Sequence, residues 1–185
     1  MIISLIGFMG CGKSSVGRRL SQLLCCPFMD LDDVIVESAG RSIPEIFATE
    51  GESAFRRMEL ETLKEILSTS ESRQCAPIEN LDCHSERSEG SINLVLALGG
   101  GTVMTKECAE IVKEQTCCIY LRASIDTLER HLSGEADGRP MLKGDELRER
   151  ITELMAQRSE TYEKTAHIII DIDGRSIDSI ASEII

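Results

Sequence analysis

Apolar positions along this chain follow two alternating rhythms. Ile2 to Ile6 is a short, largely apolar and β-branched run suited to a buried strand, and Val16, Leu20, Leu23 and Leu24 behind it repeat at helical spacing. CPFMD (26–30) is a second short apolar segment, ending on a carboxylate, and a helical stretch is expected from about Asp33 until Gly40 breaks it. In SIPEIFATEG (42–51), Ser42 and Pro44 mark the start of a short helix and Gly51 its end. Residues 52–67 predict a longer helix with Phe55, Met58, Leu60, Leu63 and Leu67 among its apolar positions. NLVLALGGG (93–101) reads as a strong strand running into glycines, and CCIYL (117–121) and HIIID (167–171) as two more. Helices are expected over 105–115, 124–132 and 145–163, and from Ser176 onward.

Alternating strands and helices imply right-handed crossovers, and hence an α/β fold of three layers, a parallel sheet with helices on both faces. Ligands of such sheets gather at the carboxyl ends of the strands. That edge collects Gly7–Ser15, Asp30–Asp32, Gly99–Gly101 and the loop after Leu121. Two stretches lack periodicity. Residues 68–92, rich in Ser and Glu, exceed what a helix-to-strand connection needs and read as a mobile surface insertion within one domain spanning 1–185. Residues 133–143 read as a polar, glycine-containing loop.

The first strand-to-helix junction carries the clearest chemistry. GFMGCGKSS (7–15) fits G-x-x-x-x-G-K-[ST], with Gly7, Gly12, Lys13 and Ser14 at the defining places. Such a loop turns successive backbone N–H groups into one concavity that accepts an anion, and glycine lets phosphate oxygens approach closely. Lys13 adds a point charge for the β/γ-phosphates, and the Ser14 hydroxyl is a natural Mg²⁺ ligand. Strand, loop and helix stand in the required order, so the expectation is a bound nucleoside triphosphate.

Composition narrows the partners. A net charge of −12 argues against sequence-independent binding to nucleic acid or anionic membranes, while a local cluster of N–H groups and Lys can still hold phosphate. Aromatic residues are 3% with no Trp, so aliphatic side chains must fill the core. None of the eight cysteines stands in a metal-ligand spacing, and Cys75, Cys83 and His84 match no metal template. The pairs Cys25–Cys26 and Cys117–Cys118 read as buried thiols in a reducing cytosol. Cys11, inside the phosphate loop, reads as a spacer before a redox switch. No basic leader region precedes the first apolar run, and no stretch approaches the ~18 apolar residues of a membrane span.

A phosphate loop becomes a kinase only with an acceptor site. Asp30 and Asp32 are two residues apart, and in extended chain would face the same cleft, one toward Mg²⁺ and one toward a substrate hydroxyl. Asp33 is the expected N-cap of the following helix. Arg56, with Glu59 one turn on, Arg139 in GEADGRPML and Arg158 in MAQRSETY would together suit a carboxylate-bearing acceptor, because a guanidinium fork binds a carboxylate bidentately.

Taken together, GFMGCGKSSVGRRL, FMDLDDVIVESAGRSIPEIFATEGESAFRRMELETL, LALGGGTV, GRPML and MAQRSETYEKTA resemble, in order and over nearly the whole chain except 68–92, the shikimate kinases. The resemblance implies a five-stranded parallel sheet of the nucleoside-monophosphate-kinase type with a mobile lid over 133–143. It also implies transfer of phosphate from ATP, with Mg²⁺, to the 3-hydroxyl of shikimate in aromatic amino-acid biosynthesis, by a cytoplasmic and monomeric enzyme. On the same basis Gly10, Cys11, Gly12, Lys13, Ser14 and Ser15 would hold the phosphates, and Ser14 and Asp30 the metal. Asp32 would engage the attacking hydroxyl, Arg56 and Arg158 the shikimate carboxylate, and Gly99, Gly100 and Gly101 would line the pocket. Glu59 would orient Arg56, Phe47 and Phe55 would wall the ring, and Arg139 would reach the transferring phosphoryl group. Arg130 and the loop from Asp173 to Arg175 would lie at the adenine. Two departures stand out: RPML replaces RPLL, and Ala97 and Leu98 precede the glycines where the family often carries a hydroxyl. A gluconate or nucleotide kinase of the same fold, or a nucleotide-dependent regulatory module, remains an alternative reading of the residues.

Overall fold

In a computed structural model of the protein, residues 1–72, 92–134 and 145–185 are described. Of the expected insertion, 73–91 lie outside them, as do lid residues 135–143 with Arg139, and Cys75, Cys83 and His84; residues 68–72, expected in the insertion, instead continue a helix to Ser72, and 133–134, expected in the lid, end a helix at Gly134. Five strands, β1 (Ile2–Ile6), β2 (Phe28–Asp30), β3 (Leu94–Ala97), β4 (Cys117–Arg122) and β5 (Ile168–Asp171), form one parallel sheet in the order β2-β3-β1-β4-β5. Helices α1 (Lys13–Leu24), α2 (Leu31–Ala39), α3 (Ile43–Glu50), α4 (Glu52–Ser72), α5 (Lys106–Gln115), α6 (Ile125–Gly134), α7 (Asp145–Thr165) and α8 (Ile177–Ile184) cover it.

All five residues of β1 are buried, so the strand reads as a continuous apolar run, as a central parallel strand should. Its side chains divide by parity. Ile2 and Ile6 join the core beneath α2, α4 and α5, with Leu31, Leu63 and Val112. Ile3 and Leu5 join the core beneath α1, α6 and α8, with Val16, Leu128 and Ile180. Between them Ser4, wholly buried, is satisfied by the Thr116 hydroxyl at 2.6 Å. The loops leaving β1 and β3 lead into helices on opposite faces, which opens a crevice at the tips of these two adjacent strands.

Two expectations change. Helix α2 starts at Leu31 rather than near Asp33, and its N-cap is Asp30, whose carboxylate accepts from the Asp32 N–H at 3.1 Å. Asp33 is instead an exposed first-turn residue 3.8 Å from Arg18. Cys26 and Cys118 are buried free thiols as expected and Cys117 is a half-buried free thiol, whereas Cys25 is half-buried and disulfide-bonded. The short helix α3 forms for the anticipated reason: Ser42 and Glu45 make a reciprocal capping box, with Pro at its start. No helix among the described residues is long and apolar enough to cross a membrane.

Candidate active site

The phosphate loop lies between the end of β1 and the start of α1. Gly10 and Gly12 adopt left-handed φ values of 78° and 83°, which L side chains disfavour, and this winds the backbone around the helix N-terminus. Lys13 Nζ sits on the loop's own carbonyls, 3.0 Å from both Gly7 O and Phe8 O, so its charge hangs over the concavity. Ser15 is exposed as the third residue of α1, and Cys11 is 1% exposed within the core. A buried thiol fits the spacer reading. Ser14 donates its hydroxyl to Asp30 Oδ2 at 2.6 Å, which joins the tips of β1 and β2 at the mouth of the loop.

Asp32 reaches the site by a different route from the one expected. It is not in extended chain beside Asp30; it stands in the first turn of α2, because capping by Asp30 makes the chain helical from Leu31. Its pKa is raised to about 6, first by burial and then by the neighbouring carboxylates of Asp30 and Glu59, against the opposing pull of Lys13. That last influence places it within electrostatic reach of the phosphate seat.

Gly99, Gly100 and Gly101 at the end of β3 are the point where everything meets. None of them has a left-handed φ; what they require is room. A Cβ on Gly99 would stand 2.8 Å from Asp32 Oδ1 and 3.2 Å from Glu59 Oε1. One on Gly101 would stand 2.7 Å from both terminal nitrogens of Arg56, and one on Gly100 3.2 Å from the Met9 backbone N of the phosphate loop. The Gly100 carbonyl accepts from Arg158 at 3.4 Å and from the Tyr162 hydroxyl, both carried by α7.

The arginines are held by different means. Arg56 on α4 donates to Glu59 at 2.6 Å and to the exposed Glu52 at 3.1 Å. Desolvation opposes its charge, but the two carboxylates outweigh it and raise its pKa above the ordinary guanidinium value. Glu59 is 1% exposed and its other oxygen accepts from Thr102 at 2.6 Å, so both ends of this buried carboxylate are satisfied. Arg158 is half-buried, with its guanidinium carbon 5.9 Å from the centroid of the Phe8 ring in the phosphate loop. Phe47 and Phe55 stack with centroids 4.9 Å apart beside Arg56.

Arg175 is drawn elsewhere: it binds the Asp171 carbonyl, Ser179 and Glu183 within the β5–α8 corner. Asp173 accepts from the Ser124 N–H at 3.0 Å, and Arg130 is an exposed residue of α6. Sequence reasoning missed Thr102, Tyr162 and His131, whose ring Nδ1 meets the Gly10 carbonyl at 2.8 Å. No spacing marks the role of any of the three; each binds an atom at least 43 residues away.

The glycine loop with Lys13 thus meets, across the Gly99–Gly101 tip, one carboxyl of raised pKa and two guanidinium groups. Comparison with known proteins finds related chains and structures. The family model described as shikimate kinase matches residues 9–73 and 82–185. The chain is 36% identical over 185 residues to the shikimate kinase of Dictyoglomus turgidum, covering 99% of this chain and 94% of that one. It is likewise 36% identical over 183 residues to a shikimate kinase of Thermus thermophilus, covering 99% and 87%. Among solved structures, shikimate kinase from Acinetobacter baumannii in complex with shikimate superimposes with a TM-score of 0.80 at 30% identity, covering 99% of this chain and 89% of that one.

Proposed function

The chain belongs to the shikimate kinase family, and from that premise we propose how its residues divide the ATP-dependent phosphorylation of shikimate at its 3-hydroxyl. The observation that carries the reading is the Gly99–Gly101 tip, which borders Asp32, Arg56 and Arg158 on one side and the phosphate loop at Met9 on the other.

The loop's N–H groups from Gly10 through Ser15 and the Lys13 ammonium hold the triphosphate of ATP. Arg56 and Arg158 clamp the carboxylate of shikimate as paired cationic forks, and Glu59 fixes Arg56 in place. Phe47 and Phe55 wall the ring. With the acid group held at that end, the ring hydroxyls fall toward Asp32. An aliphatic hydroxyl has a pKa near that of water, ~16, so Asp32 does not remove its proton in the ground state. It orients the oxygen and accepts the proton late, as the P–O bond forms and the hydroxyl acidifies. A carboxyl with pKa about 6 is ionised at neutral pH and still a better proton acceptor than an ordinary Asp. Phosphoryl transfer passes through a loose transition state, so positioning and charge stabilisation by Lys13 carry most of the rate. Arg139 and the segment 133–143 are assigned the role of a lid over the phosphoryl group, Arg130 that of an adenine contact, and Arg175 joins it only if its present ion pair is exchanged.

The Ser14 hydroxyl on the Asp30 carboxylate offers two hard oxygens at the loop mouth, a donor set that suits Mg²⁺. Ser14 and Asp30 would hold the ion, which when bound would supply Lewis-acid stabilisation of the phosphate oxygens. Because one chain supplies both halves of the site, the reading is of a single-domain, monomeric enzyme.

A coupled ADP-release assay with shikimate, gluconate and a nucleoside monophosphate tests the assignment. Turnover is expected with shikimate alone. Preference for gluconate or a nucleotide, or ATP binding with no acceptor-dependent turnover, contradicts it.

A further inference from the structure

The segment 125–134 contributes more to the phosphate loop than a packing surface. Two consecutive residues in the last turn of α6, His131 and Leu132, both grip Gly10. The Leu132 side chain lies where a Cβ on Gly10 would be, 3.0 Å away, and is 6% exposed in the core that holds Phe8 and Cys11. His131 Nδ1 lies 2.8 Å from the Gly10 carbonyl oxygen. A carbonyl only accepts, so Nδ1 must carry the proton in this contact. In the same peptide unit the Cys11 N–H donates to Phe8 O at 3.3 Å. A peptide is planar, with its C=O and N–H on opposite sides, so these two bonds together fix the rotation of the Gly10–Cys11 unit. Rotating that plane would break both and swing the Gly10 carbonyl to the side of Phe8 O, where it would compete for the Lys13 ammonium that is bonded there. A glycine at φ 78° has no side chain of its own to resist that motion.

We infer that His131 is a positioning residue for nucleotide binding: its Nδ1–H locks the Gly10–Cys11 peptide in the phosphate-accepting orientation before ATP arrives. The seat is thereby preorganised, which lowers the ordering cost that binding would otherwise carry. His131 touches neither phosphate nor acceptor; it acts through the backbone it holds. The inference rests on the reading of residues 7–15 as the triphosphate seat.

The test compares wild type, His131→Leu and His131→Asn, the last placing an amide donor where Nδ1 stands. In His131→Leu the KM for ATP is expected to rise about fivefold, the size of one net hydrogen bond, with kcat changed less than twofold and the KM for shikimate unmoved. His131→Asn should restore the ATP KM to within twofold of wild type. An unchanged ATP KM in His131→Leu, an equal rise in both KM values, or an Asn variant as impaired as the Leu variant would overturn the inference. Nitrogen NMR of the wild-type protein needs no variant and decides the matter should His131→Leu fail to fold. The His131 Nδ1 is expected in the protonated state and to shift on addition of ADP; a neutral ring with bare Nδ1 overturns the proposal. If wild type itself fails to bind ADP, the seat reading falls; if it binds normally while these outcomes go the wrong way, only the role of His131 does.

Discussion

The two halves of the site are built on opposite principles. The proposed donor half is one contiguous stretch, Gly7 to Ser15, whose shape comes from glycines at positive φ. The acceptor half has no contiguous motif. Asp32 comes from α2, Arg56 and Glu59 from α4, the glycines from the end of β3 and Arg158 from α7, and they converge on a patch of three residues. A general ligand such as a triphosphate can be recognised by backbone dipoles, which tolerate changes in most side chains. A particular acid needs charged forks fixed in direction, and only tertiary structure fixes them.

Substitutions that separate the halves sharpen this contrast. The largest effect is expected from Asp32→Asn: kcat should fall about 10³-fold while ADP affinity, measured by calorimetry, stays within a fewfold of wild type. Equal loss of both would mean that Asp32 belongs to the donor half. The same variant should melt higher than wild type at pH 7.5. The carboxyl's folded pKa lies above its ordinary value of 3.8, so the native state holds the proton more tightly, and stability falls as pH rises through about 4 to 6. Removing that buried charge should return on the order of 2 kcal/mol, visible in thermal melts as a gain that vanishes near pH 4.

Next in size is Arg158→Lys. A lysine keeps the charge but loses the planar fork and its place over Phe8, so the KM for shikimate should rise roughly 10- to 100-fold with the KM for ATP little changed. Loss of ATP affinity instead would show that Phe8 transmits the change to the donor half. Smaller again is the pair Gly101→Ala and Gly12→Ala. The first drives a Cβ against the Arg56 guanidinium and should weaken shikimate binding about tenfold, as misplacing one charged hydrogen bond does. The second meets no atom within 4 Å, so its cost is backbone strain at φ 83°, about 1 kcal/mol, and falls on ATP. The mildest test is pH. Shikimate-dependent kcat/KM should decline tenfold per unit below about pH 6, as Asp32 takes up its proton, and the residual activity of Asp32→Asn should lack that limb.

The same contrast explains what the sequence revealed. The donor half was legible because its spacing is local. The strands were legible because burial on both sheet faces leaves uninterrupted apolar runs such as LVLA. Asp32 was expected in the wrong local structure. Alternation in extended chain was invoked, yet Asp30 caps a helix that begins one residue later, so the two carboxylates reach the cleft from different local structures. Cys25 escaped because adjacent cysteines in an apolar stretch carry no sign of which one faces outward. Tyr162 and His131 escaped because each serves a backbone carbonyl, 62 and 121 residues away. A carbonyl is present at every residue and so leaves no mark in the sequence.

The central claim is that the two halves share the Gly99–Gly101 tip closely enough for direct transfer. A crystal structure with ADP and shikimate bound tests it most directly. The account expects the β-phosphate on the loop at Gly10–Ser14, the shikimate carboxylate between Arg56 and Arg158, and a ring hydroxyl on Asp32 facing the phosphates. Shikimate seated away from Asp32, or with its carboxylate toward Lys13 and its hydroxyls toward Arg56, would contradict it.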